Sequence, residues 1–398
     1  MSGFGWTYLS RDALRRAEAQ LSNESGGVRD EIGFLILHQR YADQFFPGTS
    51  VLHTRLRYAL FVPWLYQTLR QRVRRGRVEE AMQSAEIVLA GRLRNAKGGG
   101  VIGGQKYPKP TSQPPSVVYW TALGTWGILR SRTDGRLPSR AQIHSLLQTR
   151  WRPALDDDGQ PLSALDLPFS ALPTSPVDWD GDGDLDFALE PAEATFLHDR
   201  ITNLVFPPSP GRKSLFARLA NGSQLTAPSC WDPVVRSIAL EDAEALRRAG
   251  YIASLAAIGR GVYAALVEAI REETDQRATS KRHRDYLPEV IEQHAGAARR
   301  IDLQLVLRDT GSLPGALVDV LRETLEWLFS GKTDVMQLRS VYERAECNRK
   351  TQRARLPDTL HGRNRRLEWN NEEHPLGEPL HYRWRNVSQL LVDLWAAA

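Results

Sequence analysis

Apolar residues recur at helical spacing along most of the chain. Val78, Met82, Ala85, Leu89 and Leu93 form one stripe, Leu317, Val320, Leu321, Leu325 and Leu328 a second, and Val387, Leu390, Leu391, Leu394 and Trp395 a third. Such i, i+3, i+4, i+7 repetition marks an amphipathic helix with one buried face. The stretch 241–273 places Leu246, Ala249, Ala253, Ala256, Leu266 and Ile270 on one side. Pro314 stands where the first turn of a helix tolerates a proline. Strand-like patterning is sparse, the best of it at 116–119 and in the alternation over 185–189. The pattern predicts a mainly α, multi-helical globular protein with a few short strands.

Between 116 and 150, Trp120, Leu123, Trp126 and Leu129 can bury one side and Ile143, Leu146 and Leu147 another. A helix–turn–helix or winged-helix-like unit is therefore expected there, decorated by Arg130, Arg132, Arg136, Arg140 and Arg150. Its connection is longer than the short turn of a DNA-reading helix pair, which argues against readout of base edges. Proline-rich or acidic stretches at 107–115, 152–179 and 206–211 punctuate the helices. They suggest an N-terminal basic helical region over 1–110, the helix–turn–helix-like unit with an acidic loop over 111–180, and a C-terminal helical region over 181–398.

A chain of 398 residues, 41% hydrophobic and 25% charged, has ordinary globular composition. Its two cysteines, Cys230 and Cys347, stand alone, with no CxxC or Cys/His spacing, so neither a disulfide framework nor a zinc site is encoded. The opening MSGFGWTYLSRDALRRAEAQ lacks an apolar core, and the longest apolar run, 58–66, falls short of the roughly 18 residues that span a bilayer. A cytoplasmic protein with no membrane partner is the expectation.

Charge changes the picture more by distribution than by its total of +5. Residues 51–110 carry twelve Lys or Arg against three acids, residues 151–199 one base against twelve acids, and residues 339–366 nine bases against three acids. A basic stripe is the electrostatic footprint of a polyanion partner. The nucleic-acid-binding candidates are Arg57, Arg70, Arg72, Arg74, Arg75, Arg77, Arg92, Arg94, Lys97 and Lys106. On a helical projection Arg55 falls at the edge of an apolar face while Arg57 points away. A charge among apolar neighbours requires a partner, so Arg55 is read as structural or as holding a buried anion, with Asp30, Glu31 or Asp43 as internal alternatives.

The cluster AKGGGVIGGQKYPKP lets backbone N–H groups approach an anion between flanking lysines. It lacks the GxxxxGK[ST] order of a nucleotide-hydrolysing loop and reads better as a linker or a nucleic-acid-touching loop. DWDGDGDLDF is the sharpest local motif. Asp178, Asp180, Asp182 and Asp186 are spaced as in calcium loops, but Leu189 stands where a bidentate acid would close the site. A self-repelling solvated loop suits it better, and calcium is the sole cofactor that the sequence suggests. His283 and His294 lie in a basic segment without catalytic spacing, although Arg277 precedes His283 by six residues. No HxK, HExxH or ExK motif occurs, and no catalytic residue is assigned.

The opening GWTYLS, the blocks FPGTSVLHTRLRYALFVPWLY and GVIGGQKYPKPTSQPPSVVYWTALGTWGIL, the helix EPAEATFLHDRI and the ending PLHYRWRNVSQLLVDL together resemble a bacterial family catalogued as domain of unknown function 6361. The resemblance runs nearly the whole length of the chain and carries over no catalytic residues. It implies a component of a DNA-directed, phage-defence-type locus beside helicase and phospholipase-like nuclease genes. Three functions are consistent with these features: a non-catalytic nucleic-acid-binding or adaptor subunit, with DNA expected as the partner ahead of RNA; a protein-interaction scaffold; and a metal-dependent nuclease using the acidic loop.

Overall fold

The computed structural model describes residues 30–72, 77–148, 167–205 and 211–397. The protein is mainly α. Among the described residues the only β pairings are the isolated bridges Leu129–Phe169 and Val205–Lys213. The strand expectations fail for identifiable reasons. Pro115 starts a helical turn, Pro115–Val118, because its missing N–H and fixed φ suit that position. Residues 185–189 do alternate, with Leu185, Phe187 and Leu189 buried and Asp186 and Ala188 exposed, but among the described residues no neighbouring strand pairs with them. In place of a winged helix, Pro115–Val118 and Trp120–Thr125 are short turns of helix, and an irregular stretch leads from them to the helix Arg140–Gln148.

The chain divides into two compact units, each assembled from segments distant in sequence. One comprises Met1–Tyr41 and Glu244–His381. It is organised on the helix Ala243–Glu273, whose residues Leu246, Ala249, Ala253, Ala256, Leu266 and Ile270 are all buried, as the spacing predicts. Small residues on this helix admit close neighbours. A Cβ on Gly259 would stand 2.5 Å from the Phe34 ring, and one on Gly261 2.9 Å from Leu287. The helix Gly315–Ser330 buries Leu317, Val320, Leu321, Leu325 and Leu328 and packs on Arg339–Lys350. It ends at Gly331, whose φ of +69° is the left-handed stop that glycine supplies without strain.

By length and composition the segment Pro233–Glu273 could cross a membrane. However, 83% of its most apolar window is buried in the protein, as befits a core helix that is hydrophobic all round.

The other unit comprises Ala42–Ala243 and Tyr382–Ala398. The apolar run 58–66 forms most of the helix Tyr58–Arg72 and is buried throughout. Pro63 lies inside this helix and withdraws one backbone donor. An aromatic lattice surrounds it: Phe61 stacks on Trp179 at 5.7 Å, Trp64 meets Trp179 edge-on at 5.4 Å, and Tyr58 leans on Phe187 at 5.4 Å. The last helix, Trp384–Trp395, returns to this unit and buries Val387, Leu390, Leu391 and Leu394.

Candidate functional site

Arg55 and Arg57 precede the helix Tyr58–Arg72 instead of lying on it, so the helical projection does not place them. Arg55 Nε donates to both carboxylate oxygens of Asp393 at 3.0 Å, and its Nη2 stands 2.9 Å from Asp393 Oδ1. Its internal partner is therefore Asp393, whereas Asp30 pairs with Arg349, Glu31 with Lys350 and Arg355, and Asp43 with Arg383. The remaining donor, Nη1, reaches the carbonyls of Lys97 and Gly99 at 3.0 and 3.3 Å. Thr54 Oγ1 donates to the Gly100 carbonyl at 2.7 Å, and the Ile102 N–H donates to Tyr58 Oη at 2.9 Å. Gly98, Gly99 and Gly100 have φ of +81°, +67° and +83°, a run that residues with a Cβ rarely adopt. The glycine cluster is thus a loop pinned to the core at four successive points.

From this loop and the turn before it project Arg94, Lys97, Lys106 and Lys109, all exposed. No Asp or Glu occurs from 94 to 115. Tyr107 stands among these cations, 40% exposed. Its ring rests on the bare backbone of Gly91, where a Cβ would come within 2.7 Å, and Arg94 Cζ lies 5.9 Å from its centroid. Beside it opens a cleft of about 310 Å³, lined among others by Glu86, Ile87, Tyr107, Lys109, Pro110 and Arg140. Glu86 accepts the Ser116 N–H at 2.8 Å, and burial pushes its carboxyl above the usual carboxylate range. Arg140 Nε, also buried, has no hydrogen-bond partner among the described residues.

Two of the predicted nucleic-acid ligands are committed internally. Arg57 is 4% exposed and meets Glu193 bidentately at 2.8 and 2.7 Å, with Asp186 at 3.0 Å. Arg92 gathers the backbone of the acidic loop, donating to the carbonyls of Gly183, Trp179 and Asp178 at 2.7, 2.7 and 2.6 Å. DWDGDGDLDF is therefore a shaped segment wrapped on an arginine by its main chain, with Asp178, Asp180, Asp182 and Asp186 exposed around it. Among the described residues no group of three or more His, Cys, Asp or Glu is arranged to hold a metal ion. On the helix Val78–Arg92 the residues facing the cleft, Glu79, Gln83, Glu86, Ile87 and Ala90, share one side. Arg92 projects about half a turn away, so the acidic loop lies off the cleft.

Arg70 is half-buried, and Arg77 is exposed with Glu80 2.8 Å away. Arg74, Arg75 and the side chain of Arg72 lie outside the described residues, as does Arg150. The third basic stretch is largely neutralised within its unit. Arg366, wholly buried, forks onto Asp275 at 2.7 Å twice and holds the Asp275 carboxyl below its usual range. Arg355 is buried against Glu31, and Arg349 and Lys350 pair with Asp30 and Glu31. His283 is buried, with Nε2 against the Asn371 carbonyl at 3.0 Å, and burial lowers its affinity for a proton. Sequence reasoning named Arg94, Lys97 and Lys106 as ligands, set Lys109 beside the glycine cluster and Arg140 on the helix–turn–helix-like unit, and left out Tyr107 and Glu86. An aromatic residue between two lysines in a proline-rich loop was the available signal.

No curated protein and no solved structure matches the chain. The family of unknown function DUF6361 matches it over residues 1–302, a span that takes in the glycine loop, the cleft and the acidic loop. The chain belongs to that family of unknown function.

Proposed function

We propose that this protein binds nucleic acid through the pinned glycine loop and acts by binding, as a cytoplasmic, DNA-directed subunit of a bacterial defence assembly. The observation that carries the reading is the exposure of Arg94, Lys97, Lys106 and Lys109 on one anchored loop, with no acid between 94 and 115. Among the described residues, Arg57 and Arg92 are spent on internal carboxylates and carbonyls, Arg70 is half-buried, and Arg77 faces Glu80. The anchored backbone supports the same reading, since phosphate contacts gain most when the donors need no ordering on binding. The resemblance to defence-locus proteins favours DNA over RNA and suggests a helicase or a phospholipase-like nuclease of the same locus as a partner.

Mobility-shift titrations with duplex DNA, single-stranded DNA and RNA at two salt concentrations test the proposal. Binding that weakens steeply with salt is expected, because each phosphate contact releases counterions. Absence of binding to all three at low salt overturns it.

A second reading is favoured by the acidic loop, whose main chain Arg92 holds in shape and whose aspartates are exposed, Asp186 while also pairing with Arg57. Such a surface suits a basic protein partner, and the protein would then act as a scaffold. Co-purification from the native locus tests this reading, and a chain that elutes alone as a monomer contradicts it.

A further inference from the structure

We infer that the cleft beside Tyr107 seats an unpaired nucleobase, so that the protein prefers single-stranded or locally opened nucleic acid to intact duplex. The inference rests on the proposed nucleic-acid-binding reading and names the feature of the polymer that this one site selects.

Three features of the cleft point to that occupant. Its size, about 310 Å³, is too small for a duplex groove or a helix and sufficient for one base with its sugar. Its walls include the flat or apolar faces of Tyr107, Ile87, Ile102 and Pro110. Aromatic and apolar faces of this kind carry the stacking of unpaired bases, worth about 1–3 kcal/mol per base. Tyr107 is well placed for such stacking. Its ring is held against Gly91 and Arg94, and 40% of the residue stays exposed.

The polar groups are arranged with the same sense. Lys109 belongs to the cleft wall, and Lys106 and Arg94 flank Tyr107. The cations therefore gather at the Tyr107 end, where the backbone phosphates on either side of an inserted base would run. Glu86, buried, and Arg140, half-buried, add an acceptor and a donor to the lining. Arg140 Nε itself is enclosed, so any contact with a base edge falls to the rest of the guanidinium. Reading an extruded base by hydrogen bonds to its edge between apolar walls is the general solution for proteins that take a nucleotide out of the stack. The acidic loop touches the start of the glycine loop, where Asn95 Nδ2 donates to Asp184 at 3.0 Å, but Arg92 holds its main chain on the side of the helix Val78–Arg92 opposite the residues that line the cleft.

The test compares fluorescence anisotropy of a labelled single-stranded oligonucleotide with that of a blunt duplex of equal length, at one low salt concentration. Three variants accompany the full-length protein: Gln83→Trp, which fills the cleft from an exposed position, Tyr107→Ala and Tyr107→Phe. The wild type is expected to bind the single strand more tightly. Gln83→Trp and Tyr107→Ala each lose about ten-fold on the single strand and keep duplex affinity, and Tyr107→Phe retains both. Duplex binding equal to single-strand binding, or an equal loss on both substrates in Gln83→Trp, overturns the inference and leaves the functional reading standing. Failure of the wild type to bind either substrate overturns both.

Discussion

Arg55 and Asp393, 338 residues apart in the chain, form a fork-like pair whose carboxylate also accepts the Leu56 N–H at 2.8 Å. The same guanidinium holds the carbonyls of Lys97 and Gly99. The last helix therefore fixes an arginine, and the arginine fixes the glycine loop that displays the cations. Removing the carboxylate from this largely buried pair leaves an uncompensated charge, which costs about 3 kcal/mol. Asp393→Ala is accordingly expected to lower stability by that order and to speed amide hydrogen exchange over 97–102. Unchanged exchange in the loop shows that Arg55 does not anchor it.

Arg57 makes a second prediction, of opposite sense for function. Its guanidinium serves Glu193 and Asp186, and a lysine cannot reproduce the bidentate geometry. Arg57→Ala is expected to destabilise by about 3–5 kcal/mol in urea denaturation, because Glu193 stays buried without its partner. Arg57→Lys costs less and leaves nucleic-acid affinity of the folded protein unchanged. A stable Arg57→Lys variant that binds more weakly would return Arg57 to the interface.

His53 gives a pH dependence. It is buried, stacks on Tyr119 at 4.3 Å and donates from Nε2 to the Val118 carbonyl at 3.2 Å. Burial pushes its pKa down to about 3, far below the ordinary value of 6.5. The unfolded chain therefore binds the extra proton first. The stability contributed by neutral His53 is complete above pH 6.5 and is lost as pH falls from there towards 3. By pH 5 the loss is about 2 kcal/mol. Denaturation of wild type and His53→Gln at pH 7.5 and pH 5 checks it: the variant, less stable at the higher pH, loses about 2 kcal/mol less between the two. Parallel losses contradict the assignment.

Much of the fold was legible because helices advertise themselves locally. The stripes at 78–93, 317–328 and 387–395 are helical, and most of their apolar positions are buried. The alternation at 185–189 was equally real, but a strand needs a neighbour, and no local pattern encodes one. The site was legible only in part. Charge density marks Arg57, Arg92 and Lys97 alike, yet two of them face inward to groups 86 to 136 residues away. Which arginine is spent on an internal partner depends on long-range contacts such as Arg366 with Asp275, which spacing cannot reveal.

The central claim is that the glycine-loop cations contact nucleic-acid phosphates, and the salt dependence of binding tests it most directly. Affinity for single-stranded DNA is measured across a series of salt concentrations for wild type and for the combined Lys97→Ala, Lys106→Ala and Lys109→Ala variant. These side chains are exposed, so folding should survive. A wild-type logarithmic slope near −3 is expected, falling by about 2 in magnitude in the variant, with affinity reduced about a hundred-fold at low salt. An unchanged slope and affinity in a folded variant would contradict the account.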